Sequence, residues 1–142
     1  MTNDERRKRV HDTWDAAWDK GDVDALDGLL AEGYRRRSEP DDEGLTLNEF
    51  KASIVATRAA FPDLVTTIDD VVVEGDRVAV RWHSVGHHQR PFLGVPATNR
   101  RVAVSGATFG RFEDDRIVEE YVTWDPRALL TALGIISIGG DR

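Results

Sequence analysis

The order of elements predicts an α+β domain, with a curved antiparallel sheet wrapped around helices and a deep pocket in the hollow between them. Two observations carry this. The first sixty residues show helical spacing of apolar side chains and helix-start signals. Residues 64 to 124 then read as long strands joined by tight turns, and one short helix follows. With 142 residues the chain has the size of one ordinary domain, taken as 1–142.

Each element has a local reason. Over residues 4 to 20, Val10, Trp14, Ala17 and Trp18 fall on one helical face, and Gly21 can end the helix. "DVDALDGLLAEG" (22–33) opens on Asp22 as a cap and closes on Gly33, which predicts a second helix. "YRRRS" (34–38) predicts a short strand. Thr46 and Glu49 form a T-x-x-E capping box ahead of Phe50 and Ile54, and Pro62 ends that helix by Ala60. "LVTTIDDVVVE" (64–74) turns through Gly75-Asp76 into "RVAVRWHSVGHH" (77–88). "RPFLGVPATN" (90–99), with two prolines and a glycine, reads as a loop. "RRVAVSGATFGRFE" (100–113) turns at Asp114-Asp115 into "RIVEEYVTW" (116–124), and a last helix runs from Pro126 to about Leu133.

Composition excludes several functions. There is no cysteine, hence no disulfide, thiol nucleophile or thiolate metal site. A net charge of −7 argues against general nucleic-acid binding, and "RRKR" (6–9) and "RRR" (35–37) both sit beside acidic residues. No apolar run approaches the roughly 18 residues of a membrane span. The N-terminal segment lacks the apolar stretch of a secretory signal, so a cytoplasmic protein is expected. His83 and His87 share a strand face but stand about 13 Å apart, too far for one ion with bonds near 2 Å. His88 points the other way. No metal site is expected, and no nucleotide motif anchors a cofactor.

Acid–base chemistry in an aromatic-lined hollow remains. "EEYVTWDPRALL" (119–130) places Asp125 between the last strand and the last helix. Two roles are open to it. Asp before Pro is a favoured helix cap, and a carboxylate at a pocket rim can transfer protons. Strand alternation groups Tyr121, Thr123 and Asp125 on one face, with Val122 and Trp124 on the other. If the first face looks into the hollow, Tyr121 and Thr123 touch the ligand. Trp14 and Trp18 would be its walls, and His88 would rim it. Val78, Val80 and Trp82, continued by Val102 and Val104, form either an outer apolar patch for a homodimer or the pocket lining.

"WDKGDVDAL" (18–26), "AFPDL" (60–64), "EGDRVAVRW" (74–82), "FLGVPATNRR" (92–101), "GRFEDDRIVE" (110–119) and "WD" (124–125) together resemble the SnoaL-like polyketide cyclase family, from about residue 8 to 134. The resemblance implies the nuclear transport factor 2-like cone, assembled as a homodimer or homotetramer. It also implies ring closure of a hydrophobic polycarbonyl substrate by intramolecular aldol condensation in antibiotic biosynthesis, an isomerase- or lyase-type reaction without cofactor or metal. Asp125 matches the family's general acid/base, and His88 matches its histidine after the third long strand. His88 or Tyr121 would then donate to the developing oxyanion. Departures exist: Glu120 stands where the family often has His, Tyr121 where Trp is common, and Arg35, Arg36 and Arg37 where a pocket His or Asp is common. An arginine in the pocket would suit an acidic or strongly enolic substrate. The resemblance leaves two alternatives, a cofactor-free hydroxylase of anthracycline-type rings and a non-catalytic small-molecule-binding protein.

Overall fold

The computed structural model describes residues 1–136. Helix α1 (Asn3–Trp14) begins at Thr2, whose hydroxyl accepts from the Glu5 backbone N–H, and its last turn widens into a π-turn over Asp15–Asp19. The segment predicted as a second helix divides. A 3₁₀ turn covers Val23–Gly28, and from Leu30 the chain is already strand β1 (Leu30–Arg37). Leu26, Leu29 and Leu30 are all buried there, so apolar spacing alone did not separate a short turn plus strand from a helix. The short β2 (Leu45–Thr46) leads into α2 (Leu47–Ala60), where the Thr46/Glu49 capping box forms with both reciprocal bonds. Strands β3 (Val65–Glu74), β4 (Arg77–His87), β5 (Arg101–Glu113) and β6 (Arg116–Trp124) follow, then α3 (Arg127–Ala132).

One six-stranded sheet results, in the order β2-β1-β6-β5-β4-β3. All its neighbours are antiparallel except β1, which runs parallel to β6. The sheet curves without closing, and α1, α2 and α3 pack against β3, β1 and β5 respectively. Two groups of buried apolar residues fill the concave side. The larger joins α1, α2, β1 and the hairpin ends of the strands, with Val10, Trp14, Tyr34, Phe50, Val78, Val80 and Phe112. The smaller joins Ala60, Phe61, Val102 and Ala132, with Phe92, Val104 and Leu129 against it.

Which side chains face inward is decided by two irregularities. Opposite Arg111 and Phe112, β6 offers Glu119 and Ile117, so Val118 is an extra residue. Such a bulge reverses the facing of everything after it. Ile117 is buried, and after the bulge Glu120, Val122 and Trp124 turn inward, while Tyr121 and Thr123 turn outward. Asp69 does the same in β3, so Thr66 and Ile68 face inward before it and Val71 and Val73 after it. On β4 and β5 the even positions face inward, so Val78, Val80, Trp82, Val102 and Val104 belong to the core and the cavity and not to an outer patch. Gly106 lets the wall close: a Cβ there would lie 2.6 Å from the Thr123 carbonyl and 2.6 Å from the Trp82 ring.

Candidate active site

Between the two apolar groups lies a cavity of about 680 Å³. Its walls are largely apolar. All four tryptophans of the chain line it: Trp14 and Trp18 from the first helical segment, Trp82 from β4 and Trp124 from β6. Phe50, Phe61 and Phe92 add three more rings. The loop after β4 contributes Phe92 and Leu93, and α3 contributes Leu129 and Leu130. Trp82 is fixed by an indole N–H donated to the Thr108 hydroxyl at 3.1 Å. Large aromatic area in a concave space is the usual form of a small-molecule site.

Charge enters this cavity at two described side chains, Arg36 and Asp42. Asp42 is committed to a turn. Its carboxylate accepts from the Gly44 and Ser38 backbone N–H groups, which hold its pKa below the usual carboxylate range. Arg36 is different. Its Nη1 donates to Glu120 Oε1 at 3.0 Å, and its guanidinium carbon lies 4.3 Å from the centre of the Phe50 ring. Glu120 is 1% exposed and also accepts from the Tyr34 hydroxyl. Burial raises the Glu120 pKa, and Arg36 opposes that rise. Burial, and then the adjacent Glu120, push the Tyr34 phenol well above its ordinary value. Of the three consecutive arginines, Arg36 is the one that lines the cavity; Arg37 pairs with Glu119 at 2.9 Å. Neither Arg36 nor Glu120 was singled out by sequence reasoning as a site residue. The signal was present in the departures at those positions, but the facing of β6 was needed to read it.

The residues expected from the sequence divide by location. Trp14 and Trp18 line the cavity. Tyr121 and Thr123 do not. The bulge at Val118 sends them to the convex side, where Tyr121 lines a shallow groove with Val72, Ala79 and Phe109. His88 is fully buried, but it lies behind the cavity wall, stacked on Phe61 with ring centres 5.5 Å apart. Its Nδ1 accepts from the Thr98 backbone N–H at 3.2 Å, and its backbone bonds Asn99 and Arg100. It therefore ties down the 89–99 loop that carries Phe92 and Leu93 to the cavity. Its Nε2 has no hydrogen-bond partner among the described residues.

Asp125 directly follows β6. Its two chain neighbours, Trp124 and Pro126, both line the cavity, while its own carboxylate is exposed and paired with Arg127 at 2.7 Å. Oδ1 also accepts from the Arg127 backbone N–H at 3.0 Å, an Asx-type bond at the start of α3. These bonds, the guanidinium first and the backbone N–H second, lower its pKa to about 2. Among the described residues no cluster of His, Asp and Glu could hold a metal ion, and no helix is long and apolar enough to cross a membrane.

Comparison with known proteins adds the lineage. The model of the SnoaL-like polyketide cyclase family matches residues 8–133. The chain belongs to that family, and its six-stranded cone is the nuclear transport factor 2-like fold of the family's structures. It is similar to AclR, an inferred hydroxylase from Streptomyces galilaeus, at 29% identity and a TM-score of 0.85, over 96% of this chain and 100% of that one. TsrD from Streptomyces laurentii is similar at 28% identity and a TM-score of 0.82, over 96% and 100% of the two chains. An inferred polyketide cyclase from Acidithiobacillus ferrooxidans is similar at 26% identity and a TM-score of 0.77, over 93% and 96%. No curated protein is significantly similar in sequence.

The Asp125–Arg127 pair makes a titration prediction. A carboxylate with a depressed folded pKa contributes stability that is complete above its unfolded value and lost as pH falls through about 2. Replacing Arg127 with Gln should lift Asp125 toward the ordinary value of about 3.9. Carboxyl-carbon NMR across pH 1.5 to 6, on wild type and Arg127→Gln, checks this; an unmoved Asp125 titration would show that Arg127 does not set it.

Proposed function

We propose that the protein is a small-molecule enzyme that closes a ring in a hydrophobic polycarbonyl substrate by intramolecular aldol condensation, without a cofactor. The observation that carries this reading is the aromatic cavity, together with an exposed carboxylate, Asp125, whose two chain neighbours line it. In the proposed reaction, Asp125 removes a proton from a carbon flanked by carbonyls. The resulting enolate carbon bonds to a second carbonyl carbon of the same molecule, and the new alkoxide takes the proton back from Asp125. Holding both ends of the substrate in one cavity supplies the proximity term. A pKa of about 2 makes Asp125 a weak base in the free protein. An apolar substrate seated against it would strip water from it and raise that value toward the working range.

The test is the isosteric variant. Asp125→Asn keeps an acceptor for the Arg127 backbone N–H, so its melting temperature should stay near that of wild type. Its ring-closing turnover on a panel of aromatic polyketones should fall about 100-fold or more. Turnover within a few-fold of wild type would remove Asp125 from the mechanism, and intact ligand binding with no turnover by either protein would favour a binding protein. The similarity to AclR supports a second reading, hydroxylation. Oxygen uptake during turnover separates the two, because ring closure consumes none.

Assembly as a homodimer belongs to the same proposal, now through the convex face. Phe109 is 54% exposed and Val72 57% exposed there, beside Tyr121. Exposed apolar area of this kind favours a covered surface. Light scattering should give a dimer for wild type and a monomer for Phe109→Asp. A wild-type monomer of 15.9 kDa at high micromolar concentration contradicts the assembly.

A further inference from the structure

Only part of the Arg36 guanidinium is engaged by other protein groups. Its side chain is 12% exposed. One edge of the guanidinium is engaged: Nη1 donates to Glu120 Oε1 at 3.0 Å and lies 3.4 Å from the Tyr34 hydroxyl. Two rings pack against it as well, with the guanidinium carbon 4.3 Å from the Phe50 ring centre and 6.0 Å from that of Trp14. Among the described residues, Nε and Nη2 have no hydrogen-bond partner, and Arg36 lines the cavity. Three N–H groups of a fixed, planar cation are therefore left on the side where a ligand would sit. A guanidinium edge of this kind matches a carboxylate or an ionised enol, both of which offer paired oxygens.

We propose that Arg36 is an anion-recognition site in the cavity wall, selecting aromatic ligands that carry a carboxylate or an ionised 1,3-dicarbonyl enol. The proposal rests on the reading of the cavity as the ligand site. Glu120 and Tyr34 are the positioning residues. Tethering Nη1 to Glu120 and packing the guanidinium against Phe50 hold the long side chain in place and leave Nε and Nη2 for a ligand. The surrounding tryptophan and phenylalanine rings make the wall largely apolar, so a charge-assisted bond formed there is stronger than on the surface. The other charged group in the wall, Asp42, already accepts from two backbone N–H groups.

The probes are 1-hydroxy-2-naphthoate and its neutral carboxamide, which share one shape and differ in charge. Removing Arg36 alone would strand the buried Glu120 carboxylate and threaten folding. The comparison therefore uses Glu120→Gln and the double variant Arg36→Met/Glu120→Gln, which differ only at Arg36. Calorimetric titration should show wild type binding the acid about tenfold or more tightly than the amide, as expected for a desolvated charge-assisted bond. Glu120→Gln, whose amide oxygen can still accept from Nη1, sets the reference preference against which the double variant is read. The double variant should bind the two probes within about twofold of each other while holding its affinity for the amide. Equal affinity for acid and amide in wild type, or a preference that survives in the double variant, overturns the anion site and leaves the cavity reading standing. Failure of wild type to bind either probe overturns both.

Discussion

A β-strand offers its side chains to two faces in strict alternation, and a single inserted residue exchanges the faces for everything that follows. Val118 is such a residue in β6. Before it, Ile117 anchors the strand in the core; after it, Glu120, Val122 and Trp124 turn inward. Without that insertion, Tyr121 and Thr123 would face the cavity and Glu120 would face solvent. The buried bond between Glu120 and Arg36, the orientation of Arg36 over Phe50, and the aromatic wall at Trp124 all depend on it.

Burying Glu120 has an energetic cost that the site offsets locally. A carboxylate at 1% exposure loses most of its hydration, and a buried ion pair is at best near balance against well-packed apolar residues. Arg36 and the Tyr34 hydroxyl both donate to the same carboxylate oxygen. An arrangement with little net gain in stability is better explained by what it orients. Here that is a cation in a space otherwise walled by rings. The opposite arrangement holds after β6, where Asp125 is exposed, ionised and paired with Arg127. The cavity thus has a largely buried cation in its wall, and an exposed anion follows the strand that supplies Trp124 to that wall.

The fold was legible because its signals are local. The capping box at Thr46 and Glu49, the two tight hairpin turns and the Pro62 stop each act through their own backbone neighbours. The 22–33 segment was misread because Leu26, Leu29 and Leu30 satisfy helical spacing while the chain changes from a 3₁₀ turn to a strand between them. In the site, Trp14 and Trp18 were recognisable from helical periodicity, which tolerates small errors of register. Tyr121 and Thr123 were not, because strand parity tolerates none and the bulge at Val118 has no glycine or proline to announce it. His88 was visible as a polar residue beside a loop, but its burial behind Phe61 depends on contacts made by Thr98 and Asn99, which only the folded loop brings back to it.

All four tryptophans line the cavity, so their indole N–H resonances report on it from its several walls. The most direct measurement is a titration of ¹⁵N-labelled protein with a tricyclic aromatic polyketone, followed by two-dimensional NMR. A ligand seated in the cavity shifts the indole signals of Trp14, Trp18, Trp82 and Trp124 together, with one dissociation constant and in advance of any change at Tyr121 or Phe109 on the convex face. Saturable shifts confined to the convex face, with the four indole signals unmoved, would contradict the account.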